Sequence, residues 1–231
     1  MKSIRALPRI FIEGVDTSEP FEIPKPAYDK LHTVLKLRTG AEIGVMPNNG
    51  EFWICELDGH QAIPKEKFTP NTEPTIQLTL AQALPKGDKI DEIIKSCTEL
   101  GVAKFVLFPS DRSVVKWDEK KLVDRLRRFQ TVAKESAELA FRMKYPVVEY
   151  VASTQKMCEQ YKDNLLVLSE QESVSQTLPT ELKAATFAVG PEGGWSPREV
   201  QMLTPYSVTL GPRVLRTEHA GFAACARLLI S

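Results

Sequence analysis

The chain has 231 residues, of which 42% are hydrophobic and 26% charged. This is the composition of a globular protein with one large domain or two smaller ones. Thirty basic residues balance thirty acidic ones, which excludes the strongly basic character of a non-specific nucleic-acid coat. The four scattered cysteines and three histidines argue against a disulfide framework, a redox motif or a metal site. With no apolar leader and no apolar run of membrane-spanning length, the sequence predicts a reduced, cytoplasmic protein.

Short β-like segments separated by turn residues fill the chain up to residue 72. Strands are predicted at RIFIE, AEIGVM and EFWICEL, and a short helix at DKLHTVLKL, before Gly40. Asn49-Gly50 predicts a tight hairpin between the last two strands. The pattern is typical of a small barrel or sandwich. The segment KFTPNTEPT, with its two prolines, is predicted to be a linker.

From residue 73 onward, strands alternate with helices. Helices are predicted at DKIDEIIKSCTELG, ending at Gly101, from Asp118 toward Phe141, and at AGFAACARLLI. The predicted strands are IQLTLAQAL, KFVLFP, VVEYV, NLLVLS, TFAVG and SVTLG. This alternation predicts an α/β domain, with a parallel sheet covered by helices.

Two loops that follow predicted strands are candidates for a ligand site, because ligands bind beyond the carboxyl ends of parallel strands. GPEGG (190–194) leads into SPRE (196–199), which fits a helix capping box. Its glycines would let backbone N–H groups approach a ligand, although a tight strand-to-helix turn would also explain them. In LGPRVLRTE (210–218), Thr217 is predicted to be the N-cap of the last helix and Glu218 a charge that favours its dipole. Neither role explains the two arginines of that loop.

Four motifs occur in a recognisable order: KGDKIDEIIKSCTELGV, SDRSVVK, GPEGG and LGPRVLRTE. Together they resemble the small-subunit ribosomal RNA methyltransferase E family, and PRIF and HTVLKLRTG resemble that family's RNA-binding module. The resemblance implies methylation of N3 of a uridine in 16S rRNA of the small ribosomal subunit, with S-adenosylmethionine as cofactor and no metal. It also implies a PUA-like β-barrel at 1–72, a SPOUT-type α/β domain with a C-terminal trefoil knot at 73–231, and a homodimer.

The resemblance further implies a cofactor site on the knotted loops, built largely from backbone groups. Its residues here would be Leu168, Gly190, Pro191, Glu192, Gly193, Gly194, Leu210, Gly211, Leu215, Arg216, Thr217 and Glu218. A backbone site explains the glycines, since a side chain would stand between the N–H groups and the ligand.

Methyl transfer to N3 requires that the N3 proton leaves and that the resulting anion faces the methyl group. Arg112 and Arg9 are the first candidates for stabilising the anion and holding phosphates, followed by Arg142 and Arg216. Glu138 or Glu218 is predicted to accept the proton. A solvated surface position or a helix-end charge would account for each of them equally well.

RNA contacts are predicted in and near a segment rich in basic residues. Residues 104–144 contain eleven Lys or Arg against six Asp or Glu. A solvated helix face is the ordinary explanation of such a run, but the resemblance implies a strip that contacts phosphates. The predicted RNA-binding residues are Arg9, Arg112, Lys116, Arg125, Arg128 and Arg142.

The chain departs from the family pattern at Leu139, Phe141 and His219. These departures leave two alternatives open. One is a SPOUT methyltransferase that acts on a different RNA. The other is a non-catalytic RNA-binding protein of ribosome assembly, although such a protein would have no physical need for the two glycine-containing loops.

Overall fold

A computed structural model describes residues 3–171, 173–179 and 181–230, with the backbone alone for Glu119. The chain divides into two compact units. The first comprises the chain up to Glu73 together with Ala137–Tyr145, and the second comprises Pro74–Ser136 and the chain from Pro146 onward. Within the described ranges, no helix is long and apolar enough to cross a membrane.

The first unit is built on a five-stranded mixed sheet with the strand order β1-β3-β4-β5-β2. Only the β1–β3 pair is parallel. The strands are β1 (Arg9–Phe11), β2 (Phe21–Glu22), β3 (Glu42–Met46), β4 (Phe52–Asp58) and β5 (Gln61–Phe68). The three strands predicted in this region are confirmed as β1, β3 and β4, whereas β2 and β5 were not predicted.

Two local predictions in this unit hold only in part. A hairpin joins β3 to β4, but its loop spans residues 47–51, and the left-handed φ angles are at Asn48 (67°) and Gly50 (102°). The turn is therefore longer than the two-residue type that Asn49-Gly50 predicts. The predicted helix begins earlier, as α1 (Lys25–Asp29), and continues as a π-helical turn over Lys30–Val34.

The segment Ala137–Tyr145 completes a core of the first unit. Phe141 and Met143 are buried in one cluster with Phe11, Met46 and Phe52. Phe141 has a left-handed φ of 57°, a conformation that is strained for a bulky residue. Its ring packs on Phe52 at 5.4 Å between centroids, and this burial holds the strained backbone in place.

The second unit contains a six-stranded, fully parallel sheet with the order β11-β9-β10-β6-β7-β8. Its strands are β6 (Gln77–Ala83), β7 (Lys104–Phe108), β8 (Val147–Tyr150), β9 (Leu165–Leu168), β10 (Ala184–Val189) and β11 (Ser207–Val208). Its helices are α2 (Lys89–Leu100), α3 (Glu119–Leu139), α4 (Thr154–Tyr161), α5 (Pro197–Leu203) and α6 (Thr217–Leu229), with the last residues of α3 counted in the first unit. The predicted parallel sheet with helices is confirmed.

Apolar runs at the centre of this sheet explain its burial. Residues 185–189 of β10 and 105–108 of β7 are buried along their whole length, as expected of strands covered on both faces. The outermost strand, β11, is shorter than SVTLG predicts. Beyond it, Thr209 makes only an isolated bridge to Thr177.

Candidate active site

A cavity of about 770 Å³ opens at the carboxyl ends of β9 and β10 and beyond β11. All strands of this sheet run parallel, so the three loops that follow these strands meet at one edge. The loop after β9 contributes residues 168–171, the loop after β10 contributes residues 189–195, and the loop after β11 contributes residues 210–211 and 213–218.

The structure brings together all twelve residues that were predicted to bind the cofactor. Each of them lines this cavity: Leu168, Gly190, Pro191, Glu192, Gly193, Gly194, Leu210, Gly211, Leu215, Arg216, Thr217 and Glu218. Of the four predicted catalytic residues, Arg112 and Glu218 line the same cavity. Glu138 and Arg142 belong to the first unit.

Thr217 fastens the start of α6 to the loop after β10. Its hydroxyl donates to the carbonyl of Gly190 at 2.6 Å and accepts from Nε2 of the fully buried Gln82 at 3.0 Å. The prediction that Thr217 caps α6 is wrong. The N-cap is Arg216, and Thr217 is the first helical residue, with its side chain used across the loops instead.

A second network holds the loop that contains Arg112. The carboxylate of Asp111 accepts two hydrogen bonds from Arg198 and one from Ser196, and these bonds lower the pKa of Asp111. The buried Glu199 accepts from the Asp111 amide at 3.0 Å and completes the predicted capping box with Ser196. Nη1 of Arg112 then donates to the carbonyl of Gly193 at 2.9 Å, which places the guanidinium at the cavity wall.

An ion triad joins both glycine-containing loops to the first turn of α2. Nζ of Lys89 lies 2.9 Å from Glu192 and 3.0 Å from Glu218. These two bonds raise the pKa of Lys89. Burial by itself would raise the pKa of both carboxyls, but the hydrogen bonds from Lys89 and from backbone amides outweigh it and lower both pKa values.

The two remaining catalytic candidates are held in contacts within the first unit. Glu138 is buried, and its carboxylate accepts from the Phe11 amide at 3.0 Å and from Lys30 at 2.5 Å. Arg142 is also buried and pairs with Glu73 at 2.7 Å.

The predicted RNA-binding residues lie in both units. Arg9, in the first unit, donates from its Nε to the backbone carbonyl of Glu138 at 2.5 Å. In the second unit, Lys116 is exposed, Arg125 lies over the ring of Trp117 at 5.2 Å, and Arg128 pairs with Asp91.

Sequence reasoning assigned no role to several residues that line the cavity, above all Lys89, Trp195 and Arg213. Lys89 lies in the KGDK segment, but nothing in that segment indicates which acidic residues it would meet. Among the described residues, no group of three or more His, Cys, Asp or Glu could hold a metal ion.

Comparison with known proteins identifies the class of protein to which the chain belongs. The sequence profile of the RNA methyltransferase domain family matches residues 71–229, which defines the class of the protein. Ribosomal RNA small subunit methyltransferase E of Bacillus subtilis is 33% identical to this chain, over 95% of each protein. Its counterpart from Mycobacterium bovis is 29% identical, over 83% of this chain and 79% of the relative.

A solved structure extends the similarity to the whole fold. The crystal structure of a ribosomal RNA small subunit methyltransferase E from Neisseria gonorrhoeae, bound to S-adenosylmethionine, superimposes with a TM-score of 0.86 at 26% identity. The alignment covers 95% of this chain and 96% of that one. The chain therefore belongs to the ribosomal RNA small subunit methyltransferase E family.

Proposed function

We propose that this protein uses S-adenosylmethionine to methylate N3 of a uridine in 16S rRNA of the small ribosomal subunit. The observation that carries the proposal is that three loops, separated in sequence, form one cavity lined by every residue predicted for the cofactor. Family membership supports the same reaction.

The cavity fits a ligand of this kind. Its wall combines backbone groups of residues 190–194 with carboxylates and guanidinium groups, as a molecule with an adenine edge, a carboxylate and two cationic centres requires. S-adenosylmethionine, when bound, supplies an electrophilic methyl group on a sulfonium. We propose that residues 190–194 and residues 210–218 hold S-adenosylmethionine, and that Arg112 lies on the side from which the RNA substrate enters.

We propose that Arg112 stabilises the negative charge that develops on the uracil ring as N3 loses its proton. A guanidinium has five N–H donors in a rigid fork, and the bond to Gly193 uses one of them. Because the pKa of Glu218 is lowered, its carboxylate is a weak base. The N3 proton therefore leaves to solvent water, the N3–C bond forms as the S–C bond breaks, and sulfur keeps the electron pair.

The finer features of the fold and assembly are part of the same proposal. We infer a PUA-like barrel in the first unit and a trefoil knot in the loops around the cavity, together with a homodimer that works in the cytoplasm, where small subunits are found. The parallel sheet order with β9, β10 and β11 at one side and the likeness to the Neisseria structure support this arrangement. Sedimentation equilibrium measures the dimer directly.

The reaction is tested with the purified chain, labelled S-adenosylmethionine and small ribosomal subunits from cells that lack this gene. After digestion of the rRNA to nucleosides, mass spectrometry should detect N3-methyluridine only when the protein is present. Label in another RNA would show that the substrate is different. Cofactor binding without any transfer to RNA would refute the proposed substrate, and no cofactor binding would refute the enzyme.

Arg112→Gln tests the role of the guanidinium in the same assay. We expect kcat to fall by roughly a hundredfold, because loss of a donor to a developing anion has an effect of that size. The affinity for S-adenosylmethionine should change little. Arg227→Gln, at an exposed position of α6 outside the basic segment, is the matched control and should retain wild-type kcat.

A further inference from the structure

Lys89, Glu192 and Glu218 come from three elements that are far apart in sequence, and they meet at the cavity wall. Lys89 lies in the first turn of α2, Glu192 in the loop after β10, and Glu218 in the first turn of α6. The side chains of Lys89 and Glu192 keep 31% and 27% of their exposure, and that of Glu218 keeps 9%. All three line the cavity, so their charges act on a bound ligand through partly excluded water.

The three groups carry a net charge of −1 at neutral pH. Both carboxyls have lowered pKa values and Lys89 has a raised one, so two negative charges face one positive charge. A structural explanation is that the triad only ties the loops together. Partly exposed ion pairs, however, contribute little to stability, and nothing about tying loops requires an uneven number of charges.

The net charge matches the change that methyl transfer makes in the ligand. This step rests on the proposed function. S-adenosylmethionine has a sulfonium with one positive charge, and S-adenosylhomocysteine, its demethylated product, has a neutral thioether in the same place. Glu170 and the cationic Arg112, Arg213 and Arg216 line the same cavity, so the wall as a whole is not negative. Within it, the excess negative charge of the triad favours the cofactor over the product, because only the cofactor carries a positive charge on sulfur.

We propose that the Lys89–Glu192–Glu218 triad shifts the preference of the cavity toward S-adenosylmethionine and away from S-adenosylhomocysteine. Lys89 limits this preference by neutralising one carboxylate, and each carboxylate increases it. The triad thereby weakens the competition of the product for the site after each turnover.

The experiment measures Kd for both ligands by titration calorimetry with the full chain, and compares the ratio Kd(S-adenosylhomocysteine)/Kd(S-adenosylmethionine). Contacts that both ligands make cancel in this ratio. Any loosening of the loops affects both Kd values equally and cancels as well. Lys89→Met gives the triad a charge of −2, and the ratio should rise by at least about threefold, as expected when one unit charge is removed from the wall of the same cavity in a polar medium. Glu192→Gln gives a charge of zero, and the ratio should fall by a similar factor.

Two further variants complete the design. The double variant Lys89→Met/Glu192→Gln restores a charge of −1, so its ratio should return to within about twofold of wild type. Lys95→Met removes a charge from an exposed side chain of α2 that does not line the cavity, and its ratio should not change.

Ratios that stay constant in both single variants, or that move in the same direction, would overturn the proposal, since a purely structural triad weakens both ligands equally. If Lys89→Met does not fold, as judged by its circular dichroism, the proposal is decided by whether the Kd ratio falls in Glu192→Gln. A wild-type chain that binds neither ligand would refute the proposed function itself. If the wild type binds both ligands but the Kd ratio does not change in opposite directions in the two single variants, only the role of the triad is refuted.

Discussion

The contacts of Glu218 determine the chemistry available to it. Burial by itself would raise the pKa of its carboxyl, but hydrogen bonds from a backbone amide and from Lys89 outweigh this effect and lower the pKa. A group with a lowered pKa stays ionised down to acidic pH and protonates only below its usual range. Glu218 is therefore a permanent charge of the cavity near neutral pH.

Glu218→Gln separates this role from general-base catalysis. At saturating cofactor, we expect kcat to fall by less than about tenfold, whereas removal of a general base costs about a hundredfold or more. In the wild type, log kcat should rise steadily with pH between about 6 and 8, since solvent takes the N3 proton and Glu218 does not titrate there. A break in that profile that disappears in Glu218→Gln would contradict the assignment.

The individual residues of the site differ in how far the sequence could predict them. The glycines and prolines of residues 190–194 and 210–212 are visible because they follow apolar strands and resemble family motifs. Lys89 is not visible, since its partners lie more than a hundred residues away in the chain. The predicted role of Thr217 is wrong for the same reason. Its hydroxyl forms hydrogen bonds with Gly190 and Gln82, which come close to it only in the folded sheet.

The end of α2 shows how one helix is fitted to its surroundings. Gly101 has a left-handed φ of 110°, and its amide donates to the carbonyl of Thr98. A Cβ added at this position would lie 2.3 Å from Cγ of Pro74. Backbone conformation and packing therefore both require glycine here.

Gly101→Ala should lower the free energy of unfolding by about 3 kcal/mol, from backbone strain and from overlap with a rigid proline ring. The control is Gly87→Ala, at a φ of 66° with no atom within 4 Å of the added Cβ, where we expect about 1 kcal/mol. Urea denaturation measures both. Equal losses would show that Pro74 moves aside at no cost.

Among the elements, those with a strong apolar periodicity were predicted, whereas those of mixed composition were missed. The helix α2 and the strands of the parallel sheet follow from apolar spacing alone. The strand β5 was missed because Pro64 and several charged residues interrupt its pattern. Pro64 is accommodated opposite Cys55, where the register shifts between Ile54 and Cys55, and proline is tolerated at such bulges.

The chain as a whole is not divided at one point. Residues Ala137–Tyr145 belong to the first unit, although more than sixty residues of the second unit precede them. A linear reading of composition finds the change of pattern near residue 72 but contains no signal for this return. The reason is that Phe141 and Met143 are recognisable as core residues only beside Phe11, Met46 and Phe52.

Glu138 tests whether this returning segment is structural. Its buried carboxylate is the acceptor for the Phe11 amide and for Lys30, so Glu138→Ala leaves a buried amide without its acceptor. We expect the free energy of unfolding to fall by about 2–3 kcal/mol, with kcat of the folded protein kept within about tenfold. Glu135→Ala, at an exposed position on the same helix, should change neither quantity. If Glu138→Ala instead abolishes methyl transfer and leaves the urea midpoint unchanged, Glu138 is a catalytic carboxylate and the segment carries part of the active site.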